Sequence, residues 1–446
     1  MRSILFFMTL TVAAASFGQI TAPTTTQTTT PPKAWVDANT GHRITRLSDD
    51  PISRGFYFDK NAYTPDGLDM IYISMKGLYD LKLATLESSL LVAGSVTDIV
   101  VGTKTRRVFY QNNSDGYYYA VDIDTKQTTR LHPITVRGIV DSMNADETLL
   151  AGRIVEGTAP ELNEYKLKAL QDAAKALTDN RQAAMDAHAA EKTAHPGQNA
   201  SILQHEIDET NAKAKAEAEE KRFESHTPED IFTQNLQTGE VKIILKGSDW
   251  LNHVQFSPTD PTLIMYAHEG PALHVDRVWT IRTDGSRNLL IHQRAASSEI
   301  VTHEFWSHDG TTIWYDLQTA KGEDFALGGF NLITGKETVY HLTKAEASIH
   351  YNVAFDGSVF CGDGNLVAHR ELGSHGHTTL DRRWIELLQP ESDGRLQSTR
   401  LAHIPDNDYI KTEPNARFSP DNKLVIFTSN MFGHNYLFAV EVDKQQ

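Results

Sequence analysis

A short pattern that recurs at a nearly constant distance constrains the fold of this chain more than any other feature. Each copy places an aromatic residue before a turn of Pro, Asp or Gly, and an apolar strand follows the turn. The turn residues Asp260, Asp309 and Asp356 lie 49 and 47 residues apart. The copies span residues 62–74, 255–270, 304–316, 352–364 and 416–430.

A second unit turns this pattern into a repeat of four strands. Hairpins with Asp-Gly, Thr-Gly or Asp-Thr at their tips occupy residues 117–131, 277–291 and 328–342. A period of roughly 40 to 50 residues is typical of the four-stranded blades of a β-propeller. A β-sandwich uses similar hairpins but does not repeat a whole four-strand unit. We therefore predict an all-β protein, a β-propeller of six to eight four-stranded blades, with seven preferred.

Two regions depart from this pattern. In residues 1–18, Arg2 precedes an apolar run that ends in small residues, which indicates a secretory signal peptide. Residues 19–33 are rich in Thr and Pro and predict a disordered linker. The propeller should then occupy residues 34–446. Within it, residues 160–224 are rich in Ala, Lys, Glu and Gln and predict a helical hairpin inserted between two strands of one blade.

Composition limits the partners of the protein. The signal peptide implies export, most simply to the periplasm and otherwise to the medium. No cysteine stands at the predicted cleavage site, so no lipid anchor is expected, and Cys361 is the only cysteine of the chain, which excludes an internal disulfide. The formal charge of −16 argues against a nucleic-acid partner, and an anionic ligand would need local cations. No feature indicates an oligomeric state.

Polar residues suited to binding and proton transfer cluster at the strand starts of the later blades. A single histidine at such a position is more often structural. Corresponding positions of successive blades meet at one axial mouth, however, so several such residues favour a common site. The candidates are His253, His268, Arg277, His303, His350, Glu413, Asn415 and Arg417, and Arg54 reaches the same mouth from the first blade.

These residue types suit β-elimination from a uronic acid. The reaction needs a base for the C5 proton, and an imidazole has a suitable pKa. It also needs a positive group at the substrate carboxylate, such as a guanidinium or a divalent cation. His350, Glu413 and Asn415 combine one nitrogen donor with oxygen donors, a set that suits Mn²⁺ or Ca²⁺ better than structural Zn²⁺.

The segments "WLNHVQFSP", "HEGP", "DRVW" and "THEFWSHDG", all between residues 250 and 310, resemble the oligogalacturonate lyase family. The resemblance extends from about residue 43 to residue 442, apart from the predicted insertion. It implies a seven-bladed propeller that cleaves oligogalacturonides, an acidic oligosaccharide substrate, with the help of manganese.

Residue by residue, this resemblance implies site roles. His303 would be the catalytic base, Arg277 would hold the substrate carboxylate, and His350 would bind the metal. We expect His253, His268, Arg54 and Arg417 to bind substrate.

One departure from the family pattern affects the predicted metal site. Typical members carry a glutamine followed by a His-Pro-His motif, whereas this chain has Ile410, Glu413 and Asn415 at those positions. Glu413 and Asn415 would then replace two histidine ligands, and Ile410 cannot replace the glutamine. Both the metal, Mn²⁺ or Ca²⁺, and the specificity for galacturonate over a related uronate such as glucuronate therefore stay open.

Two other functions compete with the lyase. One is a non-catalytic periplasmic β-propeller of TolB-like type that serves as a binding scaffold. The other is a hydrolase that uses paired carboxylates from Glu269, Glu304 and Glu413, although we expect Glu304 to point away from the site. The lyase requires His268, Arg277, His303, His350 and Glu413 to converge in one pocket.

Overall fold

A computed structural model of the chain describes residues 31–131, 138–155, 217, 220–248, 250–271, 274–319, 324–364, 383–405, 407 and 412–444. The predicted signal peptide, most of the linker and most of the helical insertion lie outside these residues and stay predictions. In the described part, residues 220–224 are helical. None of the helical residues described belongs to a helix long and apolar enough to cross a membrane.

The first strands of the chain complete its last blade, which closes the ring. β1 (Ala34–Val36) pairs with β2 (Arg43–Arg46), and β2 pairs with the last strand, β28 (Tyr436–Glu441). Ile44 of β2 is fully buried opposite Val440. This five-stranded sheet, which we call blade 7, has the order β1-β2-β28-β27-β26.

Six further antiparallel sheets make up blades 1 to 6, and the prediction of a seven-bladed β-propeller is confirmed. Blades 1 to 3 contain β3 (Asp69–Ser74), β4 (Gly77–Lys82), β5 (Glu87–Ala93), β6 (Val96–Val101), β7 (Arg107–Asn112), β8 (Tyr118–Asp122), β9 (Thr128–Arg130), β10 (Gly138–Met143), β11 (Leu149–Val155), β12 (Glu229–Asn235) and β13 (Val241–Lys246). Blades 4 to 6 contain β14 (Leu251–Phe256), β15 (Leu263–His268), β16 (Val278–Arg282), β17 (Leu289–Leu290), β18 (Glu299–Trp306), β19 (Thr312–Thr319), β20 (Phe325–Asn331), β21 (Glu337–Leu342), β22 (Tyr351–Val353), β23 (Phe360–Gly362), β24 (Trp384–Pro390) and β25 (Leu396–His403). Blade 7 adds β26 (Arg417–Phe418) and β27 (Leu424–Ser429).

The first strand of a blade lies innermost and contacts the first strand of a neighbouring blade. β6 contacts β10, β10 contacts β14, and β22 contacts β26. Blade 1 differs, because an irregular segment, residues 54–63, occupies the edge of β3 through bridges from Arg54 to Ile73 and from Tyr63 to Met70. This segment does not form a regular β-strand, and it carries part of the candidate site.

Apolar side chains fill the space between neighbouring sheets. One buried cluster joins Met70 of blade 1 with Val108 of blade 2 and Leu437 of blade 7. Burial of such side chains against adjacent blades stabilises the ring by the hydrophobic effect. Cys361 is also fully buried, which agrees with a structural thiol.

The predicted insertion joins two strands that pair directly. Val155 at the end of β11 lies opposite Glu229 at the start of β12. The chain therefore leaves blade 3 at Val155 and re-enters it at Glu229, at the same end of two neighbouring strands, and the register between these two strands is regular.

Candidate active site

Residues 56–60, which we call the central segment, tie several blades together. The guanidinium of Arg417 in blade 7 donates hydrogen bonds to three backbone carbonyl oxygens of the segment. The side-chain oxygen of Asn415 accepts a backbone N–H of the segment at 2.9 Å. From the segment, Lys60 Nζ donates to the carbonyl oxygen of Asp141 in blade 3 at 2.7 Å. The central segment is therefore fixed from both sides.

Three of the predicted histidines, His253, His303 and His350, converge on the central segment. The ring of His350 stacks on Phe58 at a centroid distance of 4.8 Å and meets the ring of His303 edge-on, also at 4.8 Å. The ring of Tyr57 lies 5.7 Å from that of His253. Blades 4, 5 and 6 thus contribute one imidazole each to the same cluster.

A β-bulge turns two of these histidines inward. The pairing of β14 with β15 and of β18 with β19 shifts register at His253 and His303, and these residues have φ angles of 48° and 53°. Asp98 occupies the same kind of bulge in β6 with a φ of 51°. Positive φ is costly for residues other than glycine, and bulges re-aim side chains next to active sites.

Glu304 is fully buried inside the site, which contradicts the expectation that it points away. Its Oε2 accepts a hydrogen bond from Arg277 Nε at 2.7 Å, and its Oε1 lies 3.1 Å from His253 Nδ1. Arg277 also donates to Glu269 Oε1 at 3.0 Å, and that atom lies 3.4 Å from His253 Nε2. These four side chains form a closed network, which we call the Arg277 network.

The Arg277 network sets the charge of its members. Burial alone would raise the pKa of Glu304, but Arg277 and His253 outweigh it and hold the pKa well below its usual range. Burial alone would lower the pKa of His253, but the Glu304 carboxylate outweighs it and raises the pKa. The network therefore favours a protonated His253, which faces Glu304 and Glu269 and also lies 3.8 Å from the buried carboxylate of Asp59.

His303 lies beside this network with a carboxylate near one ring nitrogen. Its side chain is 17% exposed, and its Nδ1 is 3.8 Å from Oδ2 of Asp316. Asp316 is itself held by a 2.8 Å hydrogen bond from the hydroxyl of Thr302. A carboxylate on the Nδ1 side favours the tautomer that carries its proton on Nδ1, in which Nε2 is the basic nitrogen.

His350 is fully buried and has a carboxylate on one side and a phenol on the other. Its Nδ1 is 2.7 Å from Oδ2 of Asp363, and its Nε2 is 3.2 Å from the hydroxyl of Tyr57. Oε2 of the half-exposed Glu413 lies 3.9 Å from the same Nε2. Burial alone would lower the pKa of His350, but Asp363 outweighs it and raises the pKa.

The predicted metal ligands His350, Glu413 and Asn415 do not fit a metal ion as they are arranged. Asn415 Oδ1 accepts the backbone N–H of Phe58, and its Nδ2 donates to the carbonyl oxygen of Glu413, each at 2.9 Å. Both nitrogens of His350 face protein partners. Across the described ranges, no group of three or more His, Cys, Asp or Glu side chains could hold a metal ion. The expected Mn²⁺ or Ca²⁺ therefore lacks a donor set in this part of the chain.

A pocket of about 570 Å³ opens beside the central segment. This volume is in the range of small-ligand sites. Its wall includes Tyr57, Lys60, Glu413 and Asn415 from the cluster, together with the exposed, predicted substrate-binding Arg54. Of the five residues expected to converge in one pocket, Glu413 alone lines this one, so the pocket reaches the cluster on the side of Tyr57 and Glu413.

Two predicted substrate-binding residues are placed elsewhere. His268 packs its ring against Tyr266 and Trp279 of its own blade, at centroid distances of 5.6 and 5.3 Å. Arg417 is buried, and its guanidinium is engaged by the backbone carbonyls of the central segment. The predicted substrate contact of Arg417 is contradicted, because this side chain supports the site from behind.

Replacing Arg417 with alanine should lower the free energy of unfolding by about 3 kcal/mol, because the buried carbonyl oxygens that it serves lose their donors. Urea denaturation measures this change. Arg395→Ala, at a 71% exposed arginine paired with Asp393, is the matched control and should change stability by less than about 0.5 kcal/mol. Equal stability of the two variants would contradict the supporting role.

Asp363, Glu269 and Glu304 are site residues to which the sequence analysis gave no role in the lyase. A signal for Asp363 was present in the hairpin of β22 and β23. Its register pairs Tyr351 with Gly362, so the preceding residue, His350, stands opposite Asp363. For Glu304 the sequence offers no such signal, because the bulge that turns it inward has no fixed sequence pattern.

Comparison with known proteins identifies relatives of this chain. The family model described as oligogalacturonate lyase matches residues 217–445. The oligogalacturonide lyase of Pectobacterium atrosepticum is 29% identical over 216 residues, which cover 48% of this chain and 55% of that protein. The oligogalacturonate lyase of Dickeya dadantii is 27% identical over 212 residues, 47% of this chain and 54% of that protein. The chain spans about half the length of the curated relatives it matches.

Two solved structures are similar over most of the chain. One is an oligogalacturonate lyase in complex with manganese, and the other is an oligogalacturonate lyase from Vibrio parahaemolyticus. Each has a TM-score of 0.67 and 21% sequence identity, and each match covers 92% of this chain and 96% of the other. At 21% sequence identity, this similarity establishes the fold of the chain.

Proposed function

The chain belongs to the oligogalacturonate lyase family, and on this premise we propose that it cleaves oligogalacturonides by β-elimination with His303 as the base. The observation that carries the proposal is the convergence of His303, His350 and the Arg277 network on the central segment, beside a pocket that holds Arg54. A non-catalytic scaffold would need no such set of acids and bases at one mouth.

His303 would remove the C5 proton of the sugar. That proton is acidic because C5 lies next to the carboxylate carbon, and a neutral imidazole accepts it near neutral pH. Asp316 Oδ2 lies 3.8 Å from Nδ1 of the ring, so the imidazolium that forms would have a carboxylate beside it. The strained backbone at His303, with a φ of 53°, keeps the ring directed at the cluster.

Arg277 would bind the substrate carboxylate through the donors that its two glutamates leave. A guanidinium has five N–H groups, and Glu304 and Glu269 use Nε and one Nη. Because its charge is balanced within the network, Arg277 acts by hydrogen bonding and fixed orientation. Arg54, exposed on the pocket wall, is suited to a second uronate of the chain.

The chain's own residues supply both the base and the group that binds the carboxylate. A solved relative is complexed with manganese, but Asn415 is held by backbone groups and His350 by Asp363 and Tyr57 in this chain. The donors that manganese would need are therefore already engaged.

We expect the purified protein to form an unsaturated product from oligogalacturonides, detected by the ultraviolet absorbance of the new conjugated double bond. Because the predicted ligands do not fit a metal, EDTA should change the rate by less than about twofold. A parallel assay on glucuronate-containing oligosaccharides tests whether the protein acts on galacturonate or on glucuronate.

Each outcome of this assay tests a different part of the proposed function. Absence of unsaturated product from every uronate would contradict the lyase. Loss of activity in EDTA with recovery in Mn²⁺ would keep the lyase and contradict the metal-free site. A product from glucuronate substrates alone would contradict the choice of galacturonate.

A further inference from the structure

β-Elimination needs a second proton transfer, and the base cannot supply it. While His303 takes the proton from C5, the bond from C4 to the glycosidic oxygen breaks and that oxygen leaves with the electron pair. A sugar alkoxide is a poor leaving group, so an acid must protonate it. In galacturonate, the C5 hydrogen and O4 lie on opposite faces of the ring. The base and the acid must then be two different groups.

The hydroxyl of Tyr57 is placed for this task. Tyr57 lies on the wall of the pocket that Arg54 shares. Its ring is held edge-on between His253 and His350, at centroid distances of 5.7 and 5.1 Å. Its backbone carbonyl accepts a hydrogen bond from Arg417 at 2.7 Å. The ring of Tyr57 is therefore held between two imidazoles, and the residue also lines the pocket.

His350 and Asp363 complete a chain of hydrogen bonds behind this hydroxyl. Asp363 Oδ2 lies 2.7 Å from His350 Nδ1 and fixes a proton there, so Nε2 is the nitrogen that meets the Tyr57 hydroxyl at 3.2 Å. Asp363 is held in turn, because it accepts backbone N–H groups of His350 and Asn415 at 3.0 and 3.1 Å. Asp363 and His350 thus form a hydrogen-bonded pair that ends at the phenolic oxygen of Tyr57.

We propose that Tyr57 is the general acid of this elimination, donating its phenolic proton to O4 of the departing sugar, with His350 and Asp363 as positioning residues. The inference rests on the proposed lyase function. The C5–H electrons form the double bond between C4 and C5, and the C4–O4 electrons go to the oxygen that Tyr57 protonates. The phenolate then recovers a proton from water, and His303 releases its proton to water. His350 Nε2 lies 3.2 Å from the phenolic oxygen, in the position for which the family resemblance implied a metal ligand, and an N–H there would stabilise the phenolate that remains after the proton has gone to O4.

Tyr57→Phe tests the proposal because it removes only the hydroxyl. On oligogalacturonides we expect kcat to fall about 10²- to 10⁴-fold. On a galacturonide whose O4 carries a 4-nitrophenyl group, which leaves without a proton, the fall should be less than about threefold. In deuterated water, the variant should still exchange the C5 hydrogen of the natural substrate, because His303 is intact.

Asp363→Asn, which disturbs the orientation of His350, should show the same dependence on the leaving group with a smaller loss. Tyr119→Phe, whose hydroxyl contacts Asp115 on the surface of blade 2, is the matched control and should retain full activity on both substrates.

Two results would overturn the inference. One is unchanged activity of Tyr57→Phe on oligogalacturonides, and the other is an equal loss on both substrates. Failure of the wild-type protein to act on any uronate is a different result, since it would overturn the lyase itself.

Discussion

Replacing His303 with alanine is expected to lower the rate of unsaturated product formation by about 10²- to 10⁴-fold, the range for loss of a general base. Exchange of the C5 hydrogen with deuterated water should be lost in the same variant, because no group is left to remove it. The melting temperature should fall by less than about 3 °C. The imidazole is partly exposed, and Asp316 keeps its hydrogen bond from Thr302 when the ring is removed.

His341→Ala is the matched control for this experiment. His341 lies on β21, the outermost strand of the same blade, and is exposed to solvent. The control should match the wild type in rate and in melting temperature. Full activity of His303→Ala would remove this residue from the mechanism, and a melting temperature lowered by more than about 10 °C would show that it is structural.

The fold was predictable because propeller blades leave a regular signature in the sequence. The turn residues Asp260 and Asp309 close the inner hairpins of blades 4 and 5, and their 49-residue spacing matches one blade. The closure of the ring was not predictable in the same way. β2 has only four residues, and its pairing with β28 joins positions nearly 400 residues apart, such as Ile44 and Val440.

The site was predictable where it depends on the blade repeat. His253, His303 and His350 precede corresponding turns, and the structure brings them together. Alternation along a strand predicts that Glu304 faces away from His303, yet the bulge between Thr302 and Phe305 breaks that alternation.

The roles of Arg417 and Asn415 depend on contacts that no local pattern encodes. Both side chains bind backbone atoms of the central segment, more than 350 residues away in the sequence. Sequence spacing identifies a polar residue near a mouth, but it cannot distinguish a side chain that faces a ligand from one that serves the backbone. Whether the predicted metal site can form depends on the same distinction.

The largest loss of stability is expected from Glu304→Ala. Glu304 is fully buried and is the hydrogen-bond acceptor of Arg277 Nε, so its removal leaves an excess of positive charge inside the protein. Breaking a buried ion pair by removing one partner costs about 3–5 kcal/mol. The midpoint of urea denaturation should shift accordingly, and activity should fall because Arg277 and His253 lose their common partner.

A double variant distinguishes the stability lost through the unpaired buried charge from the stability lost through the missing side-chain volume. Arg277→Met combined with Glu304→Leu removes both charges and should regain much of the stability, since apolar replacement of a whole buried pair is often neutral. Activity should not return, because the donors for the substrate carboxylate are gone. Glu87→Ala, at an exposed position of β5, is the control for loss of a glutamate. If Glu304→Ala unfolds within about 1 kcal/mol of the wild type, the Arg277 network does not hold the site together, and the orientation of Arg277 must have another cause.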